Sequence, residues 1–219
     1  MFKILETAAS FTRKLKLYFK QAFTKRFNKV SSEIEAKVKS ALRTRLFNSP
    51  EIDSLFSGKL KIDFGLTDSM ATQVIFDIIE RVVDSVEVRP VFSNSDLVTI
   101  NLIIPPLSKA SFLSIRNATY ISINKAGDQS PVPWLEWLLY RGTEVVVAGY
   151  AIAYGDYNRG YDSRTKEAIM VSLDSGSRNS TGEPFRVDPQ FSGTENDNFI
   201  TRAIQATMPD IERIISDSL

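Results

Sequence analysis

The feature that most constrains the fold is a run of apolar residues spaced three and four apart near the N-terminus. The run consists of Phe11, Leu15, Tyr18, Phe19, Ala22, Phe23, Phe27, Val30, Ile34, Val38, Ala41 and Leu42. This spacing places apolar side chains along one side of a helix, so it predicts an amphipathic helix of about thirty residues. Because Ser32 and Glu35 fit a helix-capping box, the segment is predicted to be one long helix or a helix pair that breaks near residues 29–32.

The same segment carries a positive charge that the net charge of the whole chain hides. Residues 1–48 contain 12 Lys and Arg against three Glu, and residues 49–219 contain 15 against 23. The two parts therefore have formal charges of +9 and −8, which sum to +1. We interpret residues 1–48 as a basic arm that meets nucleic acid, a membrane surface or the acidic body of a neighbouring copy. A solvated helix surface without a partner is the alternative interpretation.

A neighbouring subunit or nucleic acid is favoured over a membrane, because the Phe-rich stripe continues into an ordinary core-type helix. The apolar runs at 98–107 and 145–153 are much shorter than the ~20 residues that span a bilayer. Glu6 and the cations that follow interrupt any stretch of signal-peptide type. We therefore expect no transmembrane segment, no secretion and no membrane partner.

Residues 49–219 are predicted to form an α+β domain. Ser49, Pro50 and Gly58 delimit a short helix, and Asp68 or Thr67 caps the next one. The inner face of that second helix is expected to contain Met70, Val74, Ile75, Ile78, Ile79, Val82 and Val83. Runs of β-branched and aromatic residues at 86–92, 97–104, 119–123, 145–153 and 168–173 predict a central, mainly antiparallel sheet.

Two further helices are predicted around this sheet. The segment from Pro131 to Gly142 has a proline near a helix start and a glycine past a helix end, so it indicates a short inserted helix. Thr194 or Asn196 is expected to open a C-terminal helix, which Pro209 either kinks or divides.

The residue content leaves little room for catalysis. The chain has no His and no Cys, which removes the usual transition-metal ligands, the thiolate nucleophile and the general base that titrates near neutrality. The Ser-x-x-Lys pairs Ser122/Lys125 and Ser163/Lys166 lack the companion motifs of known sites. We therefore predict no catalytic residue, no metal and no cofactor.

Residues 156–167 form a candidate cation-binding loop. Residues 156–167 place oxygen ligands at several positions of an EF-hand-like loop, but Tyr161 stands where the sharp turn needs glycine. An ordinary hairpin loop is the favoured interpretation, and whether Asp156–Glu167 binds a cation is left open.

The apolar stripe is too long for one small domain to cover, so the basic arm is predicted to form a subunit contact. Its buried area would come from Phe11, Leu15, Phe19, Phe23 and Phe27. Its polar side would come from Arg13, Lys14, Lys16, Lys20, Lys25 and Arg26. Trp134 and Trp137 are expected in the core or in a subunit interface rather than in a ligand cage.

Four stretches together resemble virion structural proteins of tailed bacteriophages, in particular the neck and tail-completion group. They are Ser49-Pro-Glu-Ile-Asp-Ser-Leu-Phe-Ser-Gly58 with Phe64-Gly65-Leu66, Pro133-Trp-Leu-Glu-Trp-Leu-Leu-Tyr-Arg-Gly142, Ser163-Arg-Thr-Lys-Glu-Ala-Ile-Met170, and residues 185–204, which begin Phe-Arg-Val-Asp-Pro. The resemblance covers roughly residues 45–205 and includes the order of N-terminal helices, sheet and closing helix.

The resemblance implies a non-enzymatic subunit of a homo-oligomeric ring, about six- or twelve-fold, between the DNA-filled head and the tail. It implies portal- or adaptor-side and tail-side virion proteins as further partners. The expected location is the virion neck or tail region, with host cytoplasm during assembly. Passing DNA is the competing partner for the cations. The alternative functions are a nucleic-acid-binding assembly protein that uses the basic helix and, less favoured, a carboxylate-based enzyme.

Overall fold

The computed structural model describes residues 7–92, 98–103, 108–123, 129–144, 150–154, 168–172 and 186–219. In these ranges the protein is mostly helical, with antiparallel two-stranded sheets and a C-terminal helix. The helices are α1 (Ala8–Phe47), α2 (Pro50–Ser57), α3 (Lys59–Asp63), α4 (Asp68–Asp84), α5 (Lys109–Leu113), α6 (Trp134–Tyr140) and α7 (Phe199–Ser218). The strands are β1 (Glu87–Phe92), β2 (Val98–Ile103), β3 (Tyr120–Ile123), β4 (Gln129–Val132), β5 (Tyr150–Tyr154) and β6 (Ala168–Ser172).

The N-terminal segment is one helix, not a pair. α1 passes through residues 29–32 without a break, and Ser32 is exposed on its surface. Glu35 does not close a capping box; it pairs with Lys39 at 2.7 Å, and Glu33 pairs with Lys37 at the same distance. Ion pairs four residues apart stabilise a continuous helix. Of the two residues that suggested a break, Glu35 therefore stabilises the continuous helix.

The predicted start of α2 is confirmed. The Ser49 hydroxyl accepts a hydrogen bond from the Ile52 amide at 3.4 Å, and Pro50 occupies the first helical position. Gly58 ends α2, and a further helix that the sequence pattern did not indicate, α3, begins at the next residue. The Leu60 amide donates to the Ser54 hydroxyl at 3.0 Å, so a side chain of α2 holds the first turn of α3.

α4 buries the apolar face that its sequence predicted, with one change. Its buried residues are Ala71, Val74, Ile75, Ile78, Ile79, Val82 and Val83. Met70, predicted to face inward, is only half-buried because Ala71 takes the corresponding place in the core. Arg81 of α4 hydrogen-bonds the backbone oxygen of Ser111 and the Ser114 hydroxyl, which ties α4 to the end of α5.

The strands form three separate antiparallel pairs in the described residues, β1–β2, β3–β4 and β5–β6. The antiparallel pairing was predicted, whereas the single central sheet is not what these residues form. The sequence did not predict β4, because Pro131 fits the start of the predicted inserted helix. Pro131 instead pairs with Ile121 of β3, and α6 begins only at Trp134.

α7 is a single helix that continues through Pro209. The prediction that Thr194 or Asn196 opens it was wrong, because Asn198 provides the cap. The Asn198 Oδ1 accepts hydrogen bonds from the amides of Ile200 at 3.1 Å and Thr201 at 3.2 Å. Thr194 holds the preceding turn, since its hydroxyl accepts from the Asp197 amide at 3.2 Å.

The contacts divide the chain into two compact units. The first contains the described parts of Met1–Ala41, Asp84–Pro105 and Met208–Leu219, and it includes the β1–β2 pair. The second contains the described parts of Leu42–Val83 and Pro106–Thr207. The largest fully buried side chains of the second unit include Trp134, Phe64 and Phe199, so aromatic residues from three different segments form its core.

Candidate assembly surface

The N-terminal part of α1, residues 8–26, exposes its apolar side chains. The exposed fractions are 60% for Phe11, 50% for Leu15, 71% for Tyr18 and 69% for Phe19. No residue from 7 to 26 is buried in the chain. Full burial of a Leu or Phe side chain stabilises by about 1.5–3 kcal/mol, and a contiguous exposed apolar surface marks an interaction site. We call residues 8–26 the exposed half-helix.

The exposed half-helix is also strongly cationic. It contains Arg13, Lys14, Lys16, Lys20, Lys25 and Arg26, all of them exposed, and it contains no Asp or Glu. At about 100° per residue, Phe11, Leu15 and Phe19 lie within roughly 80° of one another around the helix. Arg13, Lys16 and Lys20 lie on another side of the same turns. Lys14, Lys25 and Arg26 lie within about 60° of Phe11 around the helix. The cations therefore surround the exposed apolar residues instead of forming a separate cationic side.

The five apolar residues predicted for the contact do not share one environment. Phe11, Leu15 and Phe19 are exposed, Phe23 is half-buried, and Phe27 is only 2% exposed. The rings of Phe23 and Phe27 stack with their centroids 6.4 Å apart. Steps of four residues drift by about 40° around a helix. The buried residues farther along α1, such as Ile34, therefore lie on a different side from Phe11.

Trp134 and Trp137 lie in the core of the second unit. Trp134 has no exposed surface and Trp137 is 7% exposed. The Trp134 indole donates a hydrogen bond to the Asn117 carbonyl oxygen at 2.8 Å, and its ring lies 5.5 Å from that of Phe64. Asn117 has a φ of 67°, a left-handed conformation that Asn tolerates better than most residues.

A second exposed apolar surface lies in the second unit. The ring of Phe47, at the end of α1, lies 5.7 Å from Phe56 of α2 and 6.3 Å from Phe76 of α4. Phe47 is 43% exposed, Phe76 is 47% exposed, and Phe56 is half-buried. We call these three residues the aromatic patch. The patch was not predicted from the sequence. The signal for it is that Phe76 lies outside the predicted apolar stripe of α4.

An ion pair lies one helical turn from the aromatic patch. Arg43 precedes Phe47 by four residues and Glu80 follows Phe76 by four. Arg43 donates two hydrogen bonds to the Glu80 carboxylate, at 2.8 Å and 2.7 Å. The hydrogen bond from Arg43 holds the pKa of Glu80 below its usual value. Both groups are nearly half exposed, so solvent screening leaves the pair worth at most about 1 kcal/mol.

Two of the stretches that carry the phage resemblance are joined by ion pairs. Buried Glu51 of α2 accepts a hydrogen bond from Arg202 of α7 at 2.7 Å. Arg202 also binds Asp197 at 2.9 Å. Burial lowers the pKa of Arg202, but the hydrogen bonds to both carboxylates outweigh this effect and raise it. The Ser49–Gly58 stretch and the 185–204 stretch are therefore held together inside the second unit.

A second ion pair reinforces this junction. Lys59 lies beside Gly58 and binds Asp188 at 2.6 Å. Its hydrogen bond holds the pKa of the Asp188 carboxyl below the usual value, and the Gln190 amide contributes in the same direction.

The Pro133–Gly142 stretch contacts both the 185–204 stretch and Phe64. The Gly142 amide donates to the Gly193 carbonyl oxygen at 2.8 Å. A β-carbon at Gly193 would lie 2.6 Å from the Asn198 β-carbon, so this close approach requires glycine. Together with the contact between Phe64 and Trp134, these bonds join the described parts of three resembling stretches in one core. Of the fourth stretch, Ser163–Met170, only residues 168–170 are described, and the candidate cation-binding loop at 156–167 lies outside the described residues.

The described part of the chain contains no cluster of three or more acidic side chains placed to hold a metal ion. None of its helices has the length and apolar content needed to cross a membrane. Comparisons with protein-family models, with curated proteins and with solved structures found no match to this chain.

Proposed function

We propose that this protein is a structural subunit of the neck or tail-completion ring of a tailed bacteriophage, which joins the DNA-filled head to the tail. The observation that carries the proposal is the exposed half-helix. Its apolar and its cationic side chains are both exposed in a single chain. An assembly subunit needs such a surface, because its function is to bind neighbouring subunits.

Three of the four stretches that resemble neck and tail-completion proteins meet in the second unit through Glu51–Arg202, Lys59–Asp188 and the Phe64–Trp134 contact. In this proposal they form the folded body that carries the exposed half-helix.

In this proposal the partners are identical subunits in a closed ring, flanked by portal- or adaptor-side and tail-side virion proteins. A ring of identical subunits repeats one head-to-tail contact around its axis. One surface of each copy must therefore differ from the surface that it binds. The +9 charge of residues 1–48 and the −8 charge of the rest meet this requirement.

A nucleic-acid-binding assembly protein is the second candidate, because the exposed half-helix contains six cations and no carboxylate. The salt dependence of binding distinguishes a nucleic-acid-binding protein from a ring subunit. Binding to phosphates releases counterions and weakens steeply between 50 and 200 mM salt, by about 10³- to 10⁵-fold for six to ten contacts. An apolar subunit contact largely survives this change.

The test of the proposal is assembly of phage particles with truncated chains. Deletion of residues 1–30 should leave heads and tails that do not join, seen by electron microscopy and as a loss of infectivity. Because this deletion also removes buried Phe27, a shorter deletion of residues 1–22 keeps that core residue and should have the same effect. Joined, infectious particles from the shorter variant would contradict the proposal that the basic arm drives assembly.

A further inference from the structure

We draw no further inference here: the strongest candidate, the apolar face of the exposed half-helix formed by Phe11, Leu15 and Phe19, carries none, because nothing in the described part of the structure shows what covers it.

Discussion

Residues with several simultaneous partners determine the core of the second unit. Trp134 is fully buried, donates to the Asn117 carbonyl and packs on Phe64. Arg202 joins Glu51 and Asp197. The sequence allowed the prediction that the tryptophans lie in a core or an interface, because large aromatic residues are usually covered. It could not indicate the ion pair between Glu51 and Arg202, because their separation of 151 residues leaves no local pattern.

Substitution of Trp137 should test how much the aromatic core contributes. Because Trp137 is 7% exposed, Trp137→Ala should lower the free energy of unfolding by about 3–5 kcal/mol. Urea denaturation followed by circular dichroism measures the loss. Phe76→Ala is the control, because Phe76 is 47% exposed and its truncation removes much less buried area. Equal losses in the two variants would contradict the assignment of Trp137 to the core.

At the scale of elements, local signals predicted the helices better than their boundaries and the sheet connectivity. The apolar periodicity of α4 and the Ser49-Pro50 start of α2 were sufficient to place both helices. The β4 strand was hidden by Pro131, since proline within a short run argues against a strand. Whether α1 is one helix or two depended on Ser32 and Glu35 in the sequence; in the structure the helix is continuous and Glu35 pairs with Lys39.

The cap of α7 provides a test at this scale. Asn198→Ala removes the side-chain oxygen that accepts from the Ile200 and Thr201 amides, so it should destabilise the protein by about 0.5–2 kcal/mol. Asn196→Ala is a matched control, because Asn196 is exposed and lies two residues away. Thermal unfolding of both variants measures the difference. A larger loss of stability for Asn196→Ala than for Asn198→Ala would contradict Asn198 as the cap and favour the predicted helix start at Asn196.

At the scale of the whole molecule, the sequence reveals the charge difference between the basic arm and the remaining residues. It does not reveal which apolar residues stay exposed. The steps of three and four through α1 are nearly uniform, yet Phe11 and Phe19 are exposed while Phe27 and Ile34 are buried. Burial depends on where other segments cover the helix, and that information comes from tertiary packing. The aromatic patch was missed for the same reason, since it combines three separate helices.

The most direct test of the central proposal is the mass of the purified full-length chain by sedimentation velocity at 0.15 M salt, without nucleic acid. We expect a closed oligomer of about six or twelve times the 24.6 kDa of one chain. Removal of residues 1–22 should reduce it to a folded monomer. A wild-type protein that remains monomeric at tens of micromolar, or a truncated chain that still forms the full oligomer, would contradict the account of the basic arm as the assembly element.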